Sequence, residues 1–483
     1  MKHPRIVRPL AWCAALVLAA TACSGEDAPA GHAAKASAPP LTGTQLVIAT
    51  GVDVTGKNGI RKRLVDAWNE LQEKDNSPYR ARAVILPGSA DLQRSQLLAA
   101  LQSGSAGYDV VNLDVTWVPE FAAAGLVREL PRNYADDGDV LTEVAATARW
   151  KGKVYSAPYN SDVGLLYYRR DYLVDGAGID GKKLAALAGK HTTWDDVAPL
   201  MDAVDAWARA DKSDKSKNYR SAWTSQLGAY EGLTVNGTEA FASAGARLTD
   251  EDGDYSASPQ QLTKGVAEFR RRTESPHTLD DAFESDEAGT LKDFAEGRTA
   301  FLRHWPYAYR TLHAALGNDR LGVVPLPGAA ALGGQNLAVA ANPAMPAARV
   351  KKARELVAFL TDRTSERCLL DAGFAATRKS AYTDSGTSCD DHRAAPSASA
   401  PSEGGGGEMP RDAFRRPLYA RDTLLPALEA AALRPRTPLY GAFTHAFTRE
   451  LSRLHTSAKA RSASDEDAAK ELDAALRKVL PSG

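Results

Sequence analysis

Three short stretches of this sequence combine an aromatic side chain with carboxylate or amide groups, 114–117, 159–162 and 230–231, and a fourth stretch, 304–309, is dense in aromatic residues. An aromatic face packs well on the C–H surface of a pyranose ring, while planar polar groups hydrogen-bond its hydroxyls. Aromatic residues make up only 7% of the chain, so their density in the fourth stretch stands out. The pattern predicts a sugar site drawn from Asp114, Trp117, Tyr159, Asp162, Tyr230, Trp305 and Tyr307.

Each of these residues also has an ordinary structural explanation. A lone aromatic residue usually fills a core, and an aspartate usually caps a helix or is solvated. Their repeated placement after expected strands favours the site, because ligand sites of α/β proteins lie at the carboxyl ends of strands.

Motifs that resemble catalytic sites are incomplete. The stretch 51–58 is close to a P-loop, but Asn58 stands where a Ser or Thr must bind magnesium. An Asp-Ser-Gly-Thr sequence at 384–387 occurs once, whereas aspartic proteases need two carboxylates. Zinc-protease and nucleophile-elbow motifs are missing from the sequence. We therefore predict no catalytic residue, metal or cofactor, although sequence alone leaves open a pair of glycosidase carboxylates.

The elements that must position these residues alternate between strand and helix. Strand patterns at 46–50, 79–86 and 108–113 are separated by helical patterns, which indicates a layered α/β sheet. The middle of the chain is more helical, at 194–207 and 262–272. Further strands are expected at 299–302 and 337–340, and further helices at 350–360 and 465–480. The Asp-rich segment 250–254 is interpreted as a turn rather than a calcium loop.

The N-terminus has the pattern of an export signal. A basic start precedes a short apolar run, too short to span a bilayer, and residues 20–25 (Ala-Thr-Ala-Cys-Ser-Gly) resemble a bacterial lipobox. The pattern predicts a signal peptide over 1–22, lipidation of Cys23 and anchoring to the outer face of the bacterial cell membrane. The segment 23–43 is rich in Ala, Pro, Ser and Gly and is expected to be a disordered tether.

Cysteine content and charge narrow the class further. Cys368 and Cys389 remain after export as a pair in an oxidising compartment, which predicts a disulfide. The low-complexity segment 390–408 is expected to be a disordered insertion. The formal net charge of −1 gives no support for nucleic-acid binding.

Six stretches in order resemble the extracellular solute-binding proteins of ABC sugar importers, in the branch of trehalose- and maltose-binding members. They are 109–130, with a Trp-x-x-Glu-Phe-Ala core, and 161–172, 230–239, 297–309, 321–340 and 434–440. The resemblance implies an α/β, two-lobed periplasmic-binding-protein-like fold with a ligand cleft between the lobes. The lobe boundaries we expect are 44–158 with 330–378, and 159–329 with 379–483.

The resemblance also implies roles for particular residues. Asp114 and Asp162 match carboxylates that bind sugar hydroxyls, Trp305 and Tyr307 match an aromatic platform, and Arg434 matches a hydroxyl-binding arginine. The usual Gly-Gly-Trp is Gly-Gly-Gln here, so Gly334 and Gln335 join the expected site without its indole.

The implied function is capture of a disaccharide or small oligosaccharide for ABC permease subunits, by a monomer that is not an enzyme. A surface glycoside hydrolase and a non-transport sugar receptor are the alternatives.

Overall fold

The computed structural model describes residues 43–481, except 56–58, 105–106, 190–191, 275 and 390–408. The expected signal peptide, Cys23, almost all of the tether and the 390–408 insertion therefore lie outside the described residues. Within the described ranges, the search for a helix long and apolar enough to cross a membrane finds none.

A five-stranded mixed sheet contains the predicted site residues Asp114, Asp162 and Gln335. Its spatial order is β2-β1-β3-β11-β6; β1 pairs parallel with both neighbours, and β11 runs antiparallel to β3 and β6. Five of the six residues of β1 are buried, as expected for a parallel strand in the interior of a sheet. The strands are β1 (Gln45–Thr50), β2 (Arg80–Ile85), β3 (Val110–Asp114), β6 (Ala157–Val163) and β11 (Leu332–Val339).

A second, four-stranded sheet has the order β10-β7-β9-β8, and a two-stranded ribbon joins β4 to β5. Only Gly164 separates β6 of the first sheet from β7 of the second, so the chain crosses between sheets within one residue. The remaining strands are β4 (Arg149–Trp150), β5 (Lys153–Val154), β7 (Leu165–Arg169), β8 (Ser221–Thr224), β9 (Thr299–His304) and β10 (Leu321–Pro325).

Helices cover both sheets. The helices up to residue 273 are α1 (Ile60–Lys74), α2 (Ala90–Ser103), α3 (Val118–Ala123), α4 (Thr142–Thr147), α5 (Gly181–Ala186), α6 (Trp194–Ala210), α7 (Glu231–Ser243) and α8 (Pro259–Thr273). The others are α9 (Glu287–Ala295), α10 (Ala308–Arg320), α11 (Ala347–Leu360), α12 (Arg363–Ala372), α13 (Lys379–Thr383), α14 (Leu425–Glu429), α15 (Tyr440–Thr456), α16 (Ala458–Ser462) and α17 (Asp465–Leu476).

Three apolar clusters fill the interior. One surrounds the four-stranded sheet and a second lies between the first sheet and helices α1, α11 and α12. The third joins α3 to the packed helices α7, α8, α15 and α17, with Phe121, Phe241 and Phe447 at its centre. The C-terminal helices therefore share one core with residues beside the first sheet.

Most of the expected elements are confirmed within a few residues. The strand expected at 299–302 runs to His304, and the helix expected at 350–360 begins at Ala347. The segment 250–254 forms a turn in which the backbone of Asp250 bonds that of Asp254. The last helix ends at Leu476 rather than residue 480, and β8 lies in a region where we expected few strands.

The expected disulfide is present: Cys368 in α12 is bonded to Cys389. Loss of such a cross-link releases loop-closure entropy in the unfolded chain, worth about 3 kcal/mol for a loop of this length. We therefore expect the Cys368→Ser/Cys389→Ser double variant to lose about 3 kcal/mol of unfolding free energy in urea. Two reactive thiols in the mature domain, unfolded without reductant, would contradict the bridge.

Candidate functional site

Strand register brings the polar residues of the first sheet together. Asp114 ends β3 and lies opposite Gln335 of β11, while Asp162 near the end of β6 lies opposite Gly333 of the same strand. Because β11 pairs with both neighbours, the three polar side chains fall on adjacent strands at one edge of the sheet.

Two glycines of β11 allow the strands and an indole to approach closely. Gly334 has φ of 117°, and a Cβ there would lie 2.3 Å from the carbonyl oxygen of Asn160. A Cβ on Gly333 would lie 3.1 Å from a ring carbon of Trp305 and 3.2 Å from Cβ of Asp162. The Trp305 ring, which follows β9 of the second sheet, therefore lies against the first sheet beside Asp162.

Gln335 is the centre of a polar network rather than a stacking surface. Its Oε1 accepts hydrogen bonds from Nη2 of Arg61 at 2.5 Å and from Nδ2 of Asn112 at 2.9 Å. The same Arg61 nitrogen donates to Oδ1 of Asn160 at 3.0 Å. Arg61 is buried, and the acceptors of its hydrogen bonds among the described residues are neutral oxygens.

Asp162 is the least satisfied acid of the site. Its Oδ1 is buried and has no hydrogen-bond partner among the described residues. Burial raises the pKa of Asp162 to about 7, and the Asp114 carboxylate adds to this, although Arg61, Arg303 and Arg434 act in the opposite direction. An acid held in this way is stabilised by any hydroxyl that donates to it.

We expect Asp162→Asn to stabilise the unliganded protein more at pH 8 than at pH 4.5. The folded-state pKa of this acid is raised above its ordinary value of 3.8, so stability is lost as pH rises from about 4 to about 7 and stays low above that range. The gain at pH 8 should exceed that at pH 4.5 by about 2–3 kcal/mol in urea unfolding. Asp195→Asn, at a side chain 86% exposed, is the control. A gain that does not change with pH would contradict the assignment.

Arg434 is committed to protein partners. Its Nη2 donates to Oδ1 of Asp114 at 2.8 Å, its Nη1 to Oε1 of Glu231 at 2.7 Å and its Nε to the carbonyl of Leu332. Tyr440 and Thr444 also donate to Glu231. Burial raises the pKa of Glu231 to about 7 even beside this guanidinium. Arg434 thus bridges the end of β3 to the start of α7.

Trp305 sits on a second buried ion pair. The Arg303 guanidinium lies 3.9 Å from the centroid of the indole, and its Nη2 bonds Oε1 of Glu239 at 2.6 Å with both side chains 1% exposed. Trp305 and Tyr307 themselves are partly exposed. Burial lowers the pKa of the intervening His304 to about 4, so this ring is neutral at pH 7.

Tyr230 joins the two sides of the site. It precedes Glu231, and its hydroxyl donates to Oε2 of Glu287 at 2.7 Å, while Nε1 of Trp305 approaches Oε1 of that carboxylate at 3.4 Å. Hydrogen bonds, packing contacts and a strand pair therefore connect these residues in a ring. It runs through Asp114, Arg434, Glu231, Tyr230, Glu287, Trp305, Gly333 and Gln335.

The structure brings together most of the residues expected from sequence, but two lie in cores. Trp117 is 5% exposed and packs in the cluster of α3, and Tyr159 is 3% exposed in the cluster of α1 and α12. Successive side chains of a strand point to opposite faces of the sheet, so Tyr159 points to the face opposite the one that carries Asn160. The prediction that Trp117 reaches the cleft is not supported, because it begins a helix whose apolar residues pack inward.

Several residues of the site were missed, among them Arg61, Asn112, Glu231 and Glu287. Asn112 had a signal, because it is a polar residue inside an apolar strand. Glu231 was part of an aromatic–acid stretch, although the candidate list took only its neighbour. Arg61 and Glu287 lie in the first turns of helices, where charged residues are common and carry no distinctive pattern.

The chain has two sheets covered by helices and linked by crossing strands. Polar strand ends and an indole lie between the sheets. These features define a two-lobed binding protein of the periplasmic type. The family model for bacterial extracellular solute-binding proteins matches residues 67–395, so the chain belongs to that family. The expected membership of the extracellular solute-binding family and the expected fold class are both confirmed. Members are substrate-binding proteins of ABC transporters rather than enzymes, and they act outside the cytoplasm.

Relatives agree with this assignment. A probable ABC transporter-binding protein of Deinococcus radiodurans is 25% identical over 338 residues, which cover 67% of this chain and 74% of the relative. A maltose-bound MalE3 structure from T. maritima has 23% identity and a TM-score of 0.66, covering 90% of this chain and all of that one. UgpB of Mycobacterium tuberculosis, solved with glycerophosphocholine, has 17% identity and a TM-score of 0.66, covering 91% and 98%.

Proposed function

We propose that this protein captures a disaccharide or small oligosaccharide and delivers it intact to the membrane permease of an ABC importer. The observation that carries the proposal is the buried Oδ1 of Asp162, which lies beside the indole of Trp305 and has no hydrogen-bond partner in the described part of the chain. A sugar supplies both complements at once, since its hydroxyls donate to the carboxylate and its C–H face packs on the ring.

The proposed lobes follow the boundaries expected from sequence, 44–158 with 330–378 and 159–329 with 379–483, except that residues 159–163 are assigned to the first lobe because β6 belongs to the first sheet. Asp114, Asp162 and Gln335 project from the first sheet, whereas Trp305 and Tyr307 follow a strand of the second. A ligand that contacts both sets stabilises the closed form over the open one. The permease would then recognise the closed form of the monomer.

Relatives support a sugar without deciding which. The MalE3 structure carries maltose, while the UgpB structure carries glycerophosphocholine, so one fold accommodates both chemistries. The Gln335 network offers polar contacts where the related branch stacks an indole. We therefore expect a ligand with an additional polar group on that side.

A thermal-shift screen tests the proposal. With the soluble domain, mono-, di- and trisaccharides are compared with glycerophosphocholine, each at millimolar concentration. A sugar present at 100 times its Kd adds about 2.7 kcal/mol and raises the melting temperature. A shift with glycerophosphocholine alone would overturn the sugar assignment, and hydrolysis of the bound disaccharide would favour a glycoside hydrolase. Binding without uptake in a strain lacking the permease genes is expected; unchanged uptake there would favour a non-transport receptor.

Cys23 is proposed to anchor the protein to the outer face of the cell membrane through lipid. Two or more acyl chains give stable anchoring where one does not. Cys23→Ser should move the protein from the membrane fraction to the medium, as measured by immunoblotting of fractionated cells. Retention of the variant on the membrane would show that the anchor is something else.

A further inference from the structure

Glu287 holds the polar atoms of two aromatic residues of the site. Its Oε2 accepts from the Tyr230 hydroxyl at 2.7 Å, and its Oε1 lies 3.4 Å from Nε1 of Trp305. Its backbone carbonyl also bonds Nε2 of His304 at 3.0 Å. One residue at the start of α9 thus contacts the loop before α7 and the segment after β9.

Among the described residues, the Glu287 carboxylate makes no other side-chain hydrogen bond and no ion pair. The N-terminus of α9 is capped by Asp286, whose side chain accepts from the backbone of Gly289. No ion pair recorded for the described part of the chain includes Glu287. Its side chain is partly buried, and the groups that it meets are a phenol and an indole.

Apart from Glu287, the indole of Trp305 contacts Arg303 and Gly333, and neither contact sets the direction of Nε1. Arg303 lies over the ring at 3.9 Å from the centroid, and Gly333 meets the far edge of the indole. These contacts constrain the plane of the ring but do not set the direction in which Nε1 points within that plane. A hydrogen bond to Nε1 is directional and selects one orientation.

We propose that Glu287 is a positioning residue that orients Trp305 and Tyr230 together, so that carbon faces rather than N–H and O–H groups meet the ligand. It thereby favours a sugar whose apolar face is turned toward Trp305. The inference deepens the proposed function and rests on it for the identity of the ligand. The orientation of the indole, however, can be measured without any ligand.

The first test uses the indole N–H signals of ¹⁵N-labelled protein without sugar, with the Trp305 signal assigned by Trp305→Phe. Glu287→Gln keeps the side-chain shape but presents an amide that cannot accept from both donors. We expect the Trp305 signal to move and the signals of core tryptophans to stay. Glu296→Gln, at a side chain 54% exposed at the other end of α9, is the matched control. An unmoved Trp305 signal in the folded variant overturns the proposal.

The second test is a double-mutant cycle by calorimetry with maltose as the probe sugar. Glu287→Gln should weaken binding about tenfold in the natural background and less than twofold in Trp305→Leu, because Glu287 acts through the indole. Equal losses in both backgrounds would overturn the positioning role. If maltose does not bind the natural protein, maltose is excluded as the ligand, and the indole signal still decides the role of Glu287. Should Glu287→Gln not fold, Tyr230→Phe must shift the same indole signal, and its failure to do so overturns the proposal.

Discussion

Replacement of Arg434 by Met is expected to lower the free energy of unfolding by about 3–5 kcal/mol. Arg434 is 4% exposed and pairs with both Asp114 and Glu231. Its removal leaves one buried and one partly buried carboxylate without their cation, and an unpaired buried charge costs far more than the pair itself contributes. Urea unfolding at pH 8, above the raised pKa of about 7 of Glu231, gives the largest effect.

Two further variants isolate the cause. Adding Glu231→Gln to Arg434→Met should recover part of the lost unfolding free energy, because it removes one of the two carboxylates left without a cation. Arg363→Met is the control, since Arg363 is 62% exposed and bonds Asp139 at 3.1 Å; its cost should stay below about 1 kcal/mol. A similar small cost for Arg434→Met would show that the bridge contributes little.

Replacement of Trp305 by Ala is expected to weaken sugar binding about a hundredfold while leaving the fold intact. The indole is partly exposed, follows the end of β9 and lies against Gly333 beside Asp162. The loss should appear in calorimetry with the sugar found in the thermal-shift screen. The neighbouring Arg303 keeps its partner Glu239, so no buried charge is stranded.

Trp117→Ala supplies the matched comparison. Trp117 is 5% exposed in an apolar cluster, so its truncation should lower the melting temperature by several degrees, by the cost of a large core cavity. If Trp305→Ala shows that thermal loss and unchanged affinity, the indole is a core residue and the platform assignment is wrong.

The sequence predicted the elements better than it predicted which face of each element points to the site. Short apolar runs placed β1, β3 and β9 correctly because buried strands impose a simple pattern, and an alternating run placed β2. Asp114, Asp162 and Trp305 could be named because they end strands, where an α/β fold collects its polar groups.

What sequence could not predict depends on distant pairing. Arg61 reaches Gln335 across 274 positions and Arg434 reaches Asp114 across 320, so no local pattern marks either contact. Trp117 looked like a site residue because it follows Asp114, yet the turn into α3 directs it inward. No local pattern marks the acids around the Arg434 guanidinium either, and its role in binding sugar hydroxyls stays a prediction.

We propose above all that this protein binds a sugar and releases it unchanged. Equilibrium dialysis of the soluble domain against a mixture of mono-, di- and oligosaccharides, followed by mass spectrometry of what the denatured protein releases, tests it most directly. We expect one intact disaccharide or small oligosaccharide at about one equivalent, strongly reduced in Trp305→Ala and in Asp162→Asn. Recovery of cleaved sugars, or of no sugar above the level of those two variants, would contradict the account.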